Sequence, residues 1–290
     1  MTIHALAPAS TANLGPGFDA AAAALDLWNE AVVEEVDEGP VVEIEGEGAD
    51  ELAADAAHLT VRAFELVAAP DRFRFRCVNR IPLERGLGSS AAAIAIGLVA
   101  GAAASGRAIS LVELLALGEQ LEGHADNLAA TLLGGVSVTW KHNGVRRVAQ
   151  IGSDLPLTPV IAVPAQRTNT AHSRNGLPST VSHEDAAVNA AHAALLGAAI
   201  ASGDASLLAD AFSDRLHEQY RVDGAPLLQI LRDRPPAGAA GVTLSGSGPS
   251  VVVWAEPERA GAVARELEST LPAGTTVLTL RVAREGAHAA

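Results

Sequence analysis

Residues 82–93 read Pro-Leu-Glu-Arg-Gly-Leu-Gly-Ser-Ser-Ala-Ala-Ala, and this stretch is the most informative part of the chain. Its glycines, Gly86 and Gly88, free the backbone to turn tightly and to approach a ligand without a Cβ in the way. The small and apolar residues after Ser89 and Ser90 predict a helix. A glycine-rich turn that leads into a helix N-terminus directs unpaired N–H groups and the positive end of the helix dipole toward one point, which suits phosphate.

This stretch differs from the Walker loop of many nucleotide-binding proteins. The Walker pattern requires Gly-x-x-x-x-Gly-Lys-Ser/Thr, but the only lysine of the chain is Lys141, far from any such loop. Nucleotide phosphates would therefore be held by backbone amides, serine hydroxyls, arginine or a metal ion. Taken alone, the stretch is also compatible with a buried, alanine-rich helix that has a serine cap.

Composition and charge exclude several classes of function. The chain has 290 residues, of which 49% are hydrophobic, enough for one large domain or two of ordinary size. Its formal net charge of -14 argues against nucleic acid and against an anionic membrane surface as partners, since both require basic patches.

Cysteine content and the N-terminus predict a cytoplasmic protein. The single cysteine, Cys77, allows no intramolecular disulfide, which fits a reducing compartment. The N-terminus has no basic region followed by a long apolar stretch, so we expect no signal peptide. The most apolar helix candidate, residues 91–104, is too short for the roughly 20 residues of a membrane span.

Hydrophobic patterns predict an α+β chain with two halves that join near residues 153–158. Strands and helices mix without the regular alternation that predicts a doubly wound parallel sheet. Residues 10–19 are dense in turn formers and predict a loop, whereas residues 20–27 fit either a short helix or a strand. The other predicted strands are 3–8, 31–36, 41–45, 72–78, 136–140, 160–163, 242–244, 251–254 and 276–280. The predicted helices are 59–68, 90–104, 110–122, 126–133, most of 165–231, and 257–269.

Three glycine-rich segments and three polar motifs together resemble the GHMP small-molecule kinase superfamily, and within it the homoserine kinase family. The resemblance rests on PASTANLGPGFD (8–19), GLGSS (86–90), EGHADN (122–127), TAHSRNGLP (170–178), LHEQYR (216–221) and TLSGSGPS (243–250). One such loop alone would be compatible with an ordinary turn. The combination and order are specific, and they cover nearly the whole chain.

The resemblance implies a fold, a reaction and an oligomeric state. The implied fold has a ribosomal-protein-S5-like N-terminal domain, here 1–155, and a ferredoxin-like C-terminal domain, here 156–290. ATP would bind between them, and the implied reaction is phosphorylation of the side-chain hydroxyl of L-homoserine, which serves threonine synthesis. The family is often dimeric, so we expect a homodimer.

The resemblance also implies the residues that bind ATP and Mg²⁺. The predicted metal ligands are Ser90 and Glu122, a hydroxyl and a carboxylate that phosphate oxygens and waters would complete to an octahedron. The predicted residues of the ATP loop are Pro82, Arg85, Gly86, Leu87, Gly88, Ser89, Ser90, Ala91 and Ala92.

The substrate carries a carboxylate, an ammonium and a hydroxyl, and the matched motifs supply a partner for each. Arg174 and Arg221 can bind the carboxylate in bidentate fashion. Asp19 and Asp126 can receive the ammonium or orient the hydroxyl, and which aspartate takes which role stays open. The remaining predicted substrate residues are Asn13, for the hydroxyl, and Thr170.

The identity of a catalytic base is left open at this stage. Asp126 is the acidic candidate, and Asn13 is the second residue predicted to act at the reacting hydroxyl. Because the transition state of phosphoryl transfer is loose, the reaction can depend largely on positioning and charge neutralisation. Asp126 could therefore act as a base or only position the nucleophile. His124 is predicted to be structural.

The sequence departs from the family pattern at one position, and it leaves two alternative functions to be weighed. Residue 58 is His58, where the family commonly has asparagine near the adenine pocket, so the adenine contacts are not predicted. A related kinase acting on mevalonate, a sugar or shikimate is one alternative, but those substrates lack the zwitterion that a pocket of arginines and aspartates fits. The other is a non-catalytic sensor, which the presence of both Ser90 and Glu122 disfavours.

Overall fold

A computed structural model of the chain describes residues 1–168 and 176–290. Its strands are β1 (Thr2–Ala12), β2 (Ala21–Glu35), β3 (Val41–Gly46), β4 (Phe73–Asn79), β5 (Val136–His142), β6 (Val145–Gly152), β7 (Thr158–Val163), β8 (Ala239–Leu244), β9 (Val251–Ala255), β10 (Thr276–Thr279) and β11 (His288–Ala289). Its α-helices are α1 (Leu59–Glu65), α2 (Ser89–Ser105), α3 (Leu111–Glu122), α4 (Asp126–Leu133), α5 (His183–Ser202), α6 (Ala205–Ala211), α7 (Pro226–Asp233) and α8 (Ala260–Thr270). Two short 3₁₀ helices, Glu218–Tyr220 and Val222–Gly224, precede α7. Within the described ranges, no helix is long and apolar enough to span a bilayer.

The first sheet has seven strands, among which only β3 and β4 pair in parallel. Five strands follow the order β11-β1-β2-β4-β3, and β5 pairs with both β2 and β6. The C-terminal residues return to this sheet, since Ala289 pairs with Ala5 and Val282 bridges to Leu25. The N-terminal sheet therefore includes strands from both ends of the chain, while the predicted boundary at 155/156 stays a prediction.

Helix α2 is buried against this sheet and against α1, α3 and α4. Glycines on α2 allow α1 to approach closely, because a Cβ at Gly97 would collide with the carbonyl oxygen of Thr60. Phe64 of α1 in turn packs on Phe73 and Phe75 of β4, with ring centroids 5.0 and 5.2 Å apart. This packing fixes the position of the α2 N-terminus, which points toward the second half of the chain.

The second sheet has four antiparallel strands in the order β10-β7-β9-β8. In chain order this is 4-1-3-2, and α8 connects β9 to β10, which is the split βαβ arrangement of a ferredoxin-like domain. Leu228 of α7 and Val263 of α8 are fully buried in a core that they share with this sheet. The predicted α+β class and the predicted ferredoxin-like C-terminal half are confirmed.

Several predicted element boundaries differ from the structure. Strand β1 continues through Pro8 to Ala12, because the register with β2 shifts between Pro8 and Ala9 and a bulge accommodates the missing N–H. Residues 21–27 belong to strand β2, which settles the choice left open by the sequence. Strand β6 was not predicted, and the described part of 165–231 contains three separate α-helices and two 3₁₀ turns.

Candidate active site

Three glycine-rich loops meet at one place between the two sheets. The hydroxyl oxygen of Ser245 lies 2.8 Å from Thr11 Oγ1 at the end of β1 and 2.6 Å from the carbonyl oxygen of Gly86. The backbone N–H of Gly246 donates to the carbonyl oxygen of Ala12 at 3.2 Å. The loops that the sequence singled out separately therefore contact each other directly.

Glycine is required at two positions of the central loop. Gly86 and Gly88 have φ angles of 76° and 71°, a left-handed conformation that favours glycine. A Cβ at Gly86 would collide with the backbone of Ser245, and a Cβ at Gly88 would collide with the side chain of Ser10. The two glycines thus allow the close contact of the loops and the turn into α2.

The N-terminus of α2 opens onto a cavity of about 290 Å³. The first turn of α2 has no acidic residue to offset the positive end of its dipole, and both Ser89 and Ser90 line the cavity. The predicted site residues that line it are Asn13, Asp19, Gly86, Gly88, Ser89, Ser90, Glu122, Asp126 and Arg221. An anion held at the helix terminus would lie in the cavity that these residues line.

Some residues predicted for the ATP loop have side chains that face elsewhere. Leu87, Ala91 and Ala92 are fully buried in the core, so their side chains do not face the cavity. The guanidinium of Arg85 donates to the carbonyl oxygens of Leu83, Pro164 and Ala165, each at 2.9 Å. The side chain of Arg85 therefore ties the loop to the end of β7. Neither Pro82 nor Arg85 is part of the cavity lining. Their contacts with ATP stay predictions, and Thr170 and Arg174 lie outside the described residues.

Ser90 and Glu122 are joined by a hydrogen bond at the N-terminus of α2. Ser90 donates its hydroxyl hydrogen to Glu122 Oε1 at 2.7 Å, although 32 residues separate them in sequence. Burial raises the pKa of the Glu122 carboxyl, and the hydrogen bond from Ser90 partly offsets this effect. A buried carboxylate beside a hydroxyl is a pair of hard oxygen ligands that a cation would stabilise.

Asp126 begins helix α4 and lines the same cavity. Its carboxylate accepts the backbone N–H of Asn127 at 2.8 Å. Burial raises the pKa of Asp126, and the negative charge of nearby Asp19 raises it further. With Glu84 and Glu122, these residues bring four carboxyl groups to the cavity lining. The cavity therefore favours ligands that carry positive charge as well as phosphate.

Arg221 is the arginine of the described lining, and neighbouring groups hold its side chain in place. It is buried, and Nη1 lies 3.0 Å from His217 Nδ1 and 3.2 Å from the carbonyl oxygen of Gly246. Its guanidinium carbon lies 5.5 Å from the centre of the Phe18 ring, within the range of a cation–π interaction. Arg221 thus connects the first and third glycine loops.

Asn13 lies in the cavity, but its amide group is engaged with the loops. Nδ2 donates to the carbonyl oxygen of Gly246 at 2.9 Å, and Oδ1 accepts the backbone N–H of Asp19 at 3.1 Å. The φ angle of Asn13 is 74°, an uncommon value for a residue other than glycine. These contacts give Asn13 a positioning role for the Asp19 loop, and its contact with the substrate hydroxyl stays a prediction.

Among the lining residues that were absent from the predicted set, His124 and Asn127 both lie in the EGHADN motif. His124 lies between Glu122 and Asp126 on the cavity wall. Asn127 also lines the cavity, and its Oδ1 accepts a hydrogen bond from Ser10 at 2.9 Å. Because Oδ1 is engaged, the amide Nδ2 is the atom that Asn127 can offer to a ligand. The EGHADN motif itself, which the resemblance had already singled out, was the available signal.

His217 positions Arg221 only as a neutral ring. Its Nε2 lies 3.0 Å from the carbonyl oxygen of Gly15, so Nε2 carries the proton and Nδ1 accepts from Arg221. Burial lowers the pKa of His217, the charge of Asp214 opposes this effect and the charge of Arg221 adds to it, and the net result is a pKa of about 4. Protonation would place two cations against each other.

We expect the stability difference between the natural protein and a His217→Gln variant to depend on pH. The folded chain resists protonation of His217 between its folded pKa of about 4 and its ordinary value of 6.5, whereas the unfolded chain binds the proton. The contribution of His217 is therefore complete above pH 6.5 and is lost as the pH falls toward 4.

Urea unfolding at several pH values measures this difference. The free energy of unfolding of the natural protein should rise with pH relative to the variant, by up to about 3 kcal/mol across the window. Burial raises the pKa of Glu218 to about 7, but Glu218 titrates in both proteins and its effect cancels in the comparison. The exposed His4→Gln change is the control. Parallel profiles for the natural protein and the His217 variant would contradict the expectation.

Comparison with known proteins places this site in a family. The model of the GHMP kinase N-terminal domain matches residues 51–135, and that of the GHMP kinase C-terminal domain matches residues 196–273. A homoserine kinase of Streptomyces coelicolor is 41% identical over 264 residues, which cover 88% of this chain and 85% of that protein. The chain belongs to the homoserine kinase family of GHMP kinases. A homoserine kinase of Mycobacterium sp. is 43% identical over 277 residues, covering 89% of this chain and 86% of its own.

A solved structure supports the same assignment. The crystal structure of homoserine kinase from Cytophaga hutchinsonii superimposes with a TM-score of 0.88 at 26% sequence identity, covering 100% of this chain and 97% of that one. The predicted two-domain GHMP kinase fold and the predicted kinase activity are thereby confirmed. The individual roles of the cavity residues stay predictions.

Proposed function

We propose that this chain transfers the γ-phosphoryl group of ATP to the side-chain hydroxyl of L-homoserine and releases ADP and O-phospho-L-homoserine, an intermediate of threonine synthesis. The observation that carries the proposal is a single cavity in which a helix N-terminus, four carboxyl groups and a buried arginine converge. Relatives named homoserine kinase, 41% and 43% identical over most of the chain, support the choice of substrate.

In the proposed reaction, the substrate hydroxyl oxygen attacks the γ-phosphorus of ATP. A new P–O bond forms as the bond from the γ-phosphorus to the bridging oxygen breaks, and ADP leaves with that oxygen. The hydroxyl proton passes to Asp126 or to solvent. Because this transition state is loose, most of the catalysis comes from alignment and charge neutralisation, which the N-terminus of α2 and its serines supply at the phosphates.

The proposed function includes Mg²⁺, and the residues present fit it. Mg²⁺ commonly takes one or two protein carboxylates and completes its shell with phosphate oxygens and waters. Ser90 and Glu122 would hold it, as a hydroxyl and a carboxylate already joined at 2.7 Å. The described residues hold no cluster of three or more acidic, histidine or cysteine ligands, so these two would share the ion with ATP. When bound, Mg²⁺ neutralises phosphate charge during transfer.

The substrate zwitterion accounts for the remaining charges of the cavity. Arg221 would bind the carboxylate of homoserine, and its place over Phe18 holds the guanidinium in one orientation. Asp19 and Asp126 would receive the ammonium and the hydroxyl, while the Asn127 amide points into the same space. Mevalonate, sugars and shikimate have no ammonium group to balance these aspartates. The homodimer and the cytoplasmic location stay predictions.

A coupled ADP-release assay with ATP and Mg²⁺ tests the function. We expect turnover with L-homoserine, and turnover at least about 100-fold lower with shikimate or mevalonate, because a site built to pair buried polar groups rejects substrates that leave them unpaired. L-serine and L-threonine should also turn over more slowly, because their hydroxyl is one methylene closer to the zwitterion and is displaced from the γ-phosphate when the zwitterion is bound. Phosphorus NMR should show one new phosphate monoester. Turnover with another acceptor would redirect the assignment within the superfamily, and ATP binding without turnover would favour a sensor.

A further inference from the structure

A buried carboxylate that the proposed reaction does not use lies three residues before Arg221. Glu218 is fully buried and is not part of the described cavity lining. It belongs to the first 3₁₀ helix, and its carbonyl oxygen accepts the backbone N–H of Arg221 at 3.0 Å. A buried carboxylate needs partners inside the protein, so whatever holds Glu218 also restrains the turn that carries Arg221.

Both oxygens of the Glu218 carboxylate are engaged at the edge of the second sheet. Strand β8 is an edge strand, so the N–H and C=O groups on its outer side need partners. Oε1 accepts the backbone N–H of Leu244 at 2.6 Å. Oε2 accepts from the guanidinium of Arg232, which also donates to the carbonyl oxygen of Val242 at 3.2 Å. The two side chains thus bind the strand edge much as a neighbouring strand would.

The third glycine loop begins directly after the residue that Glu218 holds. Ser245 and Gly246 follow Leu244, and the carbonyl oxygen of Gly246 accepts from Arg221 Nη1 at 3.2 Å. The turn and the loop are therefore joined twice, once through the Glu218 carboxylate and once through the Arg221 guanidinium. Loss of the first connection would free the guanidinium and its acceptor to move relative to each other.

We propose that Glu218 is a positioning residue for the substrate, because it holds Arg221 where the guanidinium binds the carboxylate of homoserine. The inference rests on the proposed function, which makes homoserine the substrate and Arg221 the partner of its carboxylate. That carboxylate takes no part in the chemical step, so Arg221 contacts it alike in the bound substrate and in the transition state. Loss of Glu218 should therefore weaken substrate binding and leave the chemical step nearly unchanged.

Replacing Glu218 by glutamine tests the role with little change of shape. The amide NH₂ group would face either the N–H of Leu244 or the guanidinium of Arg232, so one of the two hydrogen bonds is lost. The KM for L-homoserine should rise about tenfold, while kcat and the KM for ATP stay within about threefold. Because KM does not depend on the amount of folded enzyme, partial unfolding cannot imitate this result.

A second variant breaks the same ion pair from its other end. The side chain of Arg232 is 33% exposed, so Arg232→Gln disturbs the core less than a change at Glu218 does. It removes the charge beside the buried carboxylate, and it should also raise the KM for L-homoserine. This variant serves if Glu218→Gln does not fold.

Thr243→Val is the matched control for a purely structural effect. Thr243 Oγ1 accepts from Trp254 Nε1 at 2.9 Å, and both residues are fully buried, so the change removes a buried hydrogen bond from the same strand. It should lower the midpoint of urea unfolding and leave the KM for L-homoserine unchanged. A KM within about threefold of the natural value in Glu218→Gln, or an equal rise in Thr243→Val, would overturn the inference.

A double-mutant cycle tests whether Glu218 acts through Arg221. Arg221→Ala removes the group to be positioned, so adding Glu218→Gln to it should change kcat/KM per folded enzyme by less than about threefold, against about tenfold in the natural background. Two effects that multiply would overturn the inference. Failure of the natural protein to phosphorylate L-homoserine would count against the proposed function. Calorimetric titration with L-homoserine would then still show whether Glu218→Gln binds it about tenfold more weakly.

Discussion

Replacement of Asp126 by asparagine is expected to lower kcat/KM for L-homoserine about 10³-fold, within the range that removal of a general base or of a buried charge partner produces. The carboxylate is 4% exposed and lines the cavity beside Ser90 and Glu122. Asparagine keeps the shape of the side chain and the oxygen that accepts the N–H of Asn127, so the fold should survive. What is lost is the negative charge and the second acceptor oxygen.

Steady-state kinetics with homoserine and ATP varied separately decide between the two roles of Asp126. A fall confined to kcat assigns the carboxylate to the reacting hydroxyl, whereas a rise in the KM for homoserine assigns it to the ammonium. The KM for ATP should remain within about threefold in either case. Asp71→Asn, at an exposed turn of the same half of the chain, is the control. A change in kcat/KM of less than about threefold for Asp126→Asn would remove this residue from the site.

The loops of the site could be predicted from sequence because their chemistry is local. Gly86 and Gly88 need left-handed φ angles, and Ser89 and Ser90 begin a helix of small residues; each of these properties belongs to the residue itself or to its near neighbours. The same holds for the Ser110 cap of α3, which accepts the N–H of Glu113. The resemblance to a family then brought these local motifs together.

The partners of the polar side chains could not be predicted in this way, because they come from distant parts of the chain. Arg85 looked like a phosphate ligand, yet its guanidinium binds carbonyl oxygens at the end of β7, 79 and 80 residues away. Asn13 looked like a substrate ligand, and its amide holds Gly246, 233 residues away. His58 looked like a departure from the pattern, and only the structure shows which of its nitrogens faces a cavity.

Strand β6 illustrates a different limit of sequence reasoning. Its residues, Val145–Gly152, have neither a buried face nor a clear alternation, since they are intermediate or exposed throughout. The strand forms because β5 offers an edge and the Asn143-Gly144 turn reverses the chain, with both turn residues at positive φ. Pairing partners, more than the strand's own residues, stabilise such an element.

Replacement of Glu122 by glutamine is expected to lower kcat at least about 10²-fold at ordinary Mg²⁺ concentrations, because loss of a charged ligand weakens the hold on the ion that neutralises phosphate. The side-chain oxygen of glutamine can still accept a hydrogen bond from the hydroxyl of Ser90, so the hydrogen bond at the N-terminus of α2 can persist. Loss of the negative charge should therefore mainly raise the Mg²⁺ concentration that activity requires, while the fold is retained.

Titration of activity with Mg²⁺ at saturating ATP measures that requirement directly. The concentration for half-maximal activity should rise at least about tenfold in Glu122→Gln, and excess Mg²⁺ should restore part of the rate. Glu119→Gln is a matched control, because Glu119 lies one turn earlier on α3 and pairs with Arg146 at 2.5 Å away from the cavity. Identical Mg²⁺ titrations for Glu122→Gln, Glu119→Gln and the natural protein would place the metal elsewhere. A shift confined to Glu122→Gln would tie the buried carboxylate to the ion, because the control removes the same charge from the same helix.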